Sequence, residues 1–528
     1  MVMLLLACST GEVTSAQTGP ELSDTQRLIR ASLDLRGVRP STQELAEYQS
    51  GALSYEEAVD AFLVDPRFAE RSRDVWAEIF LTRSEAFAIG PESYGMGDAE
   101  RAEYERSIGE EPLRIVGQVV EQDLPWTEVV TADWTMSNEM LATIWPIGDY
   151  AGPGWQQAHY DDGRPHVGVL STNAMWWRYT TTTSNANRKR ANNISRIFLC
   201  NDYLTRPIDF DRNINLLDEG AVADALQNDP SCVNCHSGLD PIASYLFGFF
   251  TYDPGNPLEV TEYHAERELL WKDYIGVGPS WYGSPGYNLT DLGQQIAGDP
   301  RFVECAVETA WTTTMRRDAV ESDADRLTAH REAFLAGGLT WRSLMRSVVL
   351  DPVYAQSGDQ EGAVGRKMAT PDLLASQIED LTGFAWTYQD YDLMRSDRVG
   401  YRLLAGGADG SNVTETASAP NATIVLVQER LAEAAAWYAA EQDFEGSEGP
   451  GLFTVSASAT PESDLEAMTA QIQALHFRIF GASVSSDGPE VAANLELWSA
   501  LYAVDQDPVA AWAGLLSVLL RDPDFLLY

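Results

Sequence analysis

The chain has 528 residues, with 79 acidic against 36 basic side chains and a formal charge of −43. That charge excludes nucleic-acid binding by phosphate attraction, and with only three lysines (Lys189, Lys272, Lys367) an anionic membrane surface repels the folded body. A hydrophobic fraction of 45% excludes a disordered acidic chain and suffices for packed cores in several domains of roughly 100–200 residues each.

The N-terminal stretch Leu5-Leu6-Ala7-Cys8 has the form of a lipobox, in which an acylated cysteine follows the cleavage point. The tail of an ordinary signal sequence, or a chance Ala-Cys, are the alternatives. Seven residues without Lys or Arg are short for a signal peptide, so a start upstream is expected. Ser9 to Ser23 are small and polar, as in a tether, so residues 1–23 read as lipoprotein signal plus linker. No other apolar run approaches the roughly 20 residues of a membrane span. The expectation is an exported protein at the periplasm or cell surface, held by a lipid on Cys8, with Ser9 favouring the outer membrane.

Apolar residues at three-to-four spacing predict helices over Thr25 to Leu35, Thr42 to Tyr48, Tyr55 to Leu63 and Glu70 to Leu81, and a mainly α fold overall. Asp-Pro followed by an aromatic two places on recurs at Asp65, Asp299, Asp351 and Asp522, as expected where one helix stops and another starts. Leu28 to Gly37, Glu44-Leu45 and Asp65 to Phe68 find an echo in Leu475 to Gly481, Glu490-Val491 and Asp522 to Phe525, so related helical modules are expected at both ends. A partial third echo sits at Asp380 to Gly383. The expected division is 24–160 (N-terminal helical), 161–260 (cofactor-binding region), 261–365 (helical) and 366–528 (C-terminal helical).

The middle differs in texture. Trp145-Pro146, Gly152-Pro153-Gly154-Trp155, Trp176-Trp177 and Thr180 to Thr183 lack helical period and suggest ordered loops around something bulky. Tyr274 to Asn288 and Gly406 to Asn421 read as long connections, the glycines at 406–410 as a turn rather than a ligand loop.

Cys232-Val233-Asn234-Cys235-His236 has the spacing of a c-type haem attachment site, where two thiols add to the haem vinyls and the adjacent histidine ligates iron. A zinc ribbon would need a second Cys/His pair at similar spacing, and a thioredoxin-like redox pair would want a βαβ context; neither is present in the sequence. Export to an oxidising compartment also favours haem over an idle thiol pair. With Cys8 acylated and two cysteines on haem, Cys200 and Cys305 remain, either as a disulfide or as two separate buried thiols. For the sixth iron position His166 and Met175 are the nearest candidates, beside Gly168-Val169-Leu170-Ser171, with an open five-coordinate iron as the other possibility. Asp240-Pro241 is expected to fix a turn after His236, through a backbone amide or the ring nitrogen. Arg188-Lys189-Arg190, the densest basic point, is expected to meet haem propionates or neighbouring carboxylates.

In order, these features resemble the planctomycete-type cytochrome c proteins, large exported proteins of largely unassigned function. The shared landmarks are Leu33 to Pro40, Thr135 to Ala142, Gly168 to Ser171, Asn187 to Arg190 leading to Leu199-Cys200, and Cys232 to His236 followed by Leu239-Asp240-Pro241. Gly293 to Tyr354 is similar to the helical domain that follows the haem block in that family, while 366–528 matches weakly. The resemblance implies one covalent haem c on Cys232 and Cys235 with His236 as iron ligand. The extra haem domain and carbohydrate-binding-like modules of many relatives have no counterpart here.

The expected function is electron transfer by an exported, lipid-anchored mono-haem cytochrome, docking on a redox partner through a basic patch. An acidic surface suited to a salty habitat accounts for the same charge without a partner. A haem enzyme (a peroxidase or a dehydrogenase component) with an open iron site is the second reading, since 528 residues far exceed what one haem carrier needs. A structural or adaptor surface lipoprotein is the third.

Overall fold

The computed structural model describes residues 20–85, 87–206, 218–253, 255–358, 364–410, 412–445 and 449–528. Three serines open its first three helices in one way. Ser23, Ser41 and Ser54 each accept from the amide three residues on, and Gln26, Glu44 and Glu57 return the bond to the serine amide. These boxes start α1 (Asp24–Arg36), α2 (Thr42–Gln49) and α3 (Tyr55–Val64). Asp65 then caps α4 (Pro66–Phe80), with Pro66 where no amide hydrogen is needed, so this helix begins a turn earlier than its apolar period suggests. Asp299, Asp351 and Asp522 cap in the same manner, as do Asp229 and Asp507 before Pro230 and Pro508.

The fold is mainly α, with three two-stranded antiparallel pairs among the described residues. α5 (Arg101–Glu121) lies along α4; a Cβ at Gly109 would come within 2.6 Å of the Thr82 carbonyl oxygen, so only glycine permits this approach. Trp76 of α4 packs with Trp126 and Trp341, ring centroids 4.7 to 5.4 Å apart, joining the N-terminal helices to Trp341–Val349. The middle region is irregular from Trp145 to Thr172 apart from the strand Gln156–Ala158, but Trp176 and Trp177 lie on a short helix, Asn173–Arg178, rather than on a loop. Among the described residues no helix interrupts 405–421, which leads into Ala422–Glu445.

The N- and C-terminal helices touch, and three helices end in the same kind of turn. α1 stops at Gly37 (φ +73°), Pro371–Thr382 at Gly383 (φ +71°) and Leu465–Phe480 at Gly481 (φ +64°), each in the left-handed region. A Cβ on Gly481 would meet Thr25 Cγ2 at 2.6 Å and Leu45 Cδ2 at 3.2 Å, and Gln49 Nε2 donates to the Gly481 carbonyl. Arg39, buried, donates to the carbonyls of Ile479 and Phe525. Asp34 of α1 accepts from Lys367, Tyr354 and Tyr528, and Arg30 donates to four backbone carbonyls between Tyr354 and Tyr528. One continuous hydrophobic core thus runs from Leu28 to Tyr528.

Candidate cofactor site

Cys232, Cys235 and His236 sit on the helix Pro230–Ser244, which Asp229 opens by accepting from the Ser231 amide at 2.9 Å. Spacings of three and four residues put both thiols and the imidazole on one face, a turn apart. Both thiols are free and partly exposed. Burial, then the charges of Asp229 and Cys235, push the Cys232 thiol above its ordinary value.

The turn expected at Asp240-Pro241 is absent, because Pro241 lies inside the helix. The carboxylate is instead one turn beyond the histidine, with Oδ1 2.9 Å from His236 Nδ1. Arg188 holds the same carboxylate from Arg188–Leu199, with Nε 2.7 Å from Oδ1 and Nη2 3.2 Å from Oδ2. Burial opposes the charge on Asp240, yet the bonds from His236 and Arg188 outweigh it and hold the carboxyl below the usual range. An ionised Asp240 can only accept, so this bond places a proton on Nδ1 and leaves Nε2 on the far side of the ring. Gly238 admits Tyr203 against the helix, since a Cβ there would meet the phenol oxygen at 2.4 Å; that oxygen lies 3.2 Å from the Tyr282 hydroxyl.

The Arg188-Lys189-Arg190 cluster therefore divides. Arg188 pairs with Asp240, whereas Arg190 is buried, its nitrogens on the carbonyls of Tyr179, Phe249 and Trp176, and burial pushes its guanidinium down to about 9. Arg190 is a strut and has no free face for a propionate.

Cys200 and Cys305 form a disulfide with Cα atoms 5.2 Å apart, joining the end of Arg188–Leu199 to Pro300–Met315. The loop it closes contains the whole Cys232 to His236 motif. Met175 is fully buried in the main core, and His166 places Nε2 3.1 Å from the Tyr160 carbonyl with its ring 5.3 Å from that of His159. No hydrogen bond or ring contact among the described residues brings either to His236. Trp176 and Trp177 line a cavity of about 20 Å³, room for one water, that none of Cys232, Cys235 and His236 borders. Cys8 lies outside the described residues.

The motif suits a haem on two grounds. The thiols are not bonded to each other, are partly exposed and are spaced along one helix edge, and His236 offers Nε2 with its other nitrogen already fixed. Among the described residues no group of three or more His, Cys, Asp or Glu side chains gathers as a metal-ion site, so a zinc clip on these cysteines would lack its remaining ligands. Neither the Asp240–Arg188 link nor the burial of Arg190 was visible from spacing; the basic cluster and the acidic residue four after His236 were the only signals.

Residues 10–93 match a family model described as PSCyt2, protein of unknown function (DUF1549), a domain family associated with planctomycete cytochromes. The match covers α1 to α4 and ends before the Cys232 to His236 motif. No curated protein and no solved structure matches the chain.

Proposed function

We propose that this chain is an exported, lipid-anchored mono-haem c-type cytochrome that carries electrons. The observation that carries the reading is Cys232, Cys235 and His236 on one helix face, with His236 held by a buried, arginine-paired Asp240. Cys232 and Cys235 would form the two thioethers and His236 Nε2 would take the iron; the group so held supplies a one-electron couple. Asp240 orients the imidazole, makes it a stronger donor and places negative charge behind it, which favours the oxidised state. Arg188 keeps that carboxylate ionised and stationary. The Cys200–Cys305 disulfide supports an oxidising compartment, where a Cys-x-x-Cys pair has a use in covalent attachment. The proposed attachment is a lipid on Cys8, and no helix among the described residues is long and apolar enough to cross a membrane. The charge of −43 suits a partner with a basic docking patch.

The test is a pyridine-haemochrome spectrum of protein made with a cytochrome c maturation system, beside Cys232→Ser/Cys235→Ser. A covalent c-type band lost in the double variant is expected; wild-type protein without haem overturns the reading.

A further inference from the structure

A cleft of about 640 Å³ opens between α4, α5 and the segment 376–396, remote in sequence from the cysteine motif. Its lining contains no aromatic residue and is dominated by arginines and carboxylates, so it is unsuited to a haem, a nucleobase or a flat apolar ligand. Most of its charges are matched: Arg83 pairs with Asp74 and Glu110, and Arg395 with Glu379 and Asp392. Arg71 has no such partner. It is 8% exposed, lines the cleft, and has neither a hydrogen bond nor an ion pair among the described residues; its Nε and Nη1 are buried and unpartnered. Leaving a guanidinium buried and unsatisfied costs several kcal/mol in general, which an arriving anion would recover. Nearby, Arg73, Arg83 and Arg114 converge on Glu110 at 3.8, 2.6 and 3.3 Å, with Arg83 also held by Asp74 and Asp372, so several guanidinium groups stand close together on this wall. Gly37, in its left-handed turn, keeps the approach to Arg71 narrow but open: a Cβ there would lie 3.5 Å from Arg71 Cδ and 3.9 Å from Ser376 Cβ.

We propose that this cleft binds a small hydrophilic ligand carrying an oxyanion, a carboxylate or a phosphate or sulfate group, which pairs with the Arg71 guanidinium. The arginine wall takes the anionic end, and the acidic residues of 379–392 face the hydroxyl or amino groups of the remainder. This site is independent of the cofactor reading, since no residue of it belongs to the Cys232 to His236 helix.

The experiment is thermal denaturation of the full chain with millimolar citrate, inorganic phosphate or sulfate, each against sodium chloride at the same ionic strength. A rise of several degrees over the chloride control is expected, because a ligand selective for the native state stabilises it by mass action. A rise with citrate alone assigns an organic carboxylate; a rise with phosphate or sulfate as well assigns the oxyanion whatever carries it. Arg71→Ala should abolish the rise. Ser376→Glu, which keeps Arg71 and sets a carboxylate beside it, should abolish the rise and increase the ligand-free Tm, and it decides the matter if Arg71→Ala does not fold. No rise with any of the three anions, or an equal rise in Ser376→Glu, overturns the proposal.

Discussion

His236 Nδ1 lies 2.9 Å from Oδ1 of Asp240, one helical turn on, and that same oxygen is 2.7 Å from Nε of Arg188. The histidine is thus backed by a carboxylate that cannot readily take up a proton or swing away. In the haem-loaded protein, Asp240→Asn removes the negative charge while keeping a hydrogen-bond acceptor. The midpoint potential should rise by on the order of 60 mV, a tenfold change for a one-electron couple. A spectroelectrochemical titration measures it, and an unchanged or lower potential would refute the role given to Asp240.

The Cys200–Cys305 bridge spans 105 residues of chain. Loops of that length gain roughly 4–5 kcal/mol in the chain-entropy account, so Cys200→Ser/Cys305→Ser should lose several kcal/mol in urea denaturation. Adding reductant to the wild type should reproduce the loss and leave the double variant unaffected. Equal stability of the two proteins would show that the bridge contributes nothing.

Glu111, fully buried on α5, accepts from Thr135, Tyr160 and the Ala174 amide. Burial pushes its carboxyl up to about 7, against those three hydrogen bonds. The folded state therefore keeps a proton that the unfolded chain releases near its ordinary value. The group's contribution is fully present below about pH 4 and is lost as pH rises to about 7, by up to ~3 kcal/mol. Glu111→Gln should flatten the fall in stability between pH 5 and 7.5 relative to wild type. Parallel pH profiles for the two proteins would contradict the assignment.

Gly168 combines φ +52° with a close approach: a Cβ would stand 2.2 Å from the Val129 carbonyl oxygen. Gly168→Ala should therefore cost roughly 2–4 kcal/mol, well above an ordinary helix-surface change. Chemical denaturation reads the difference, and a loss under 1 kcal/mol would mean that the segment 167–171 relaxes freely.

Local rules made the helical frame legible. The Ser-x-x-Gln/Glu boxes and Asp-Pro caps set α1 to α4 to within a few residues of the apolar periodicity, and the echo of Gly37 in Gly383 and Gly481 is a real likeness of turns. The cysteine motif is likewise local, and its spacing survives intact on one helix face. What spacing does not convey is how distant segments meet. Pro241 reads as a turn former, yet it lies inside the helix, next to the Arg188–Asp240 pair that ties this stretch to a segment some fifty residues earlier. Trp176 and Trp177 look like loop residues because their helix is too short to show a period. The Arg71 cleft joins α4 and α5 to residues some 300 positions away, and no pattern in either stretch announces the other.

Arg30 on α1 places its two terminal guanidinium nitrogens on carbonyls 324 to 498 residues further along the chain. During synthesis α1 therefore has no completed surroundings until nearly all the polypeptide has emerged. Such sequence-distant closure slows folding and leaves apolar helix faces waiting for their cover. The segment 10–93 that matches a known family is for the same reason a poor candidate for expression as a free fragment, and its biochemistry is best sought in the whole chain.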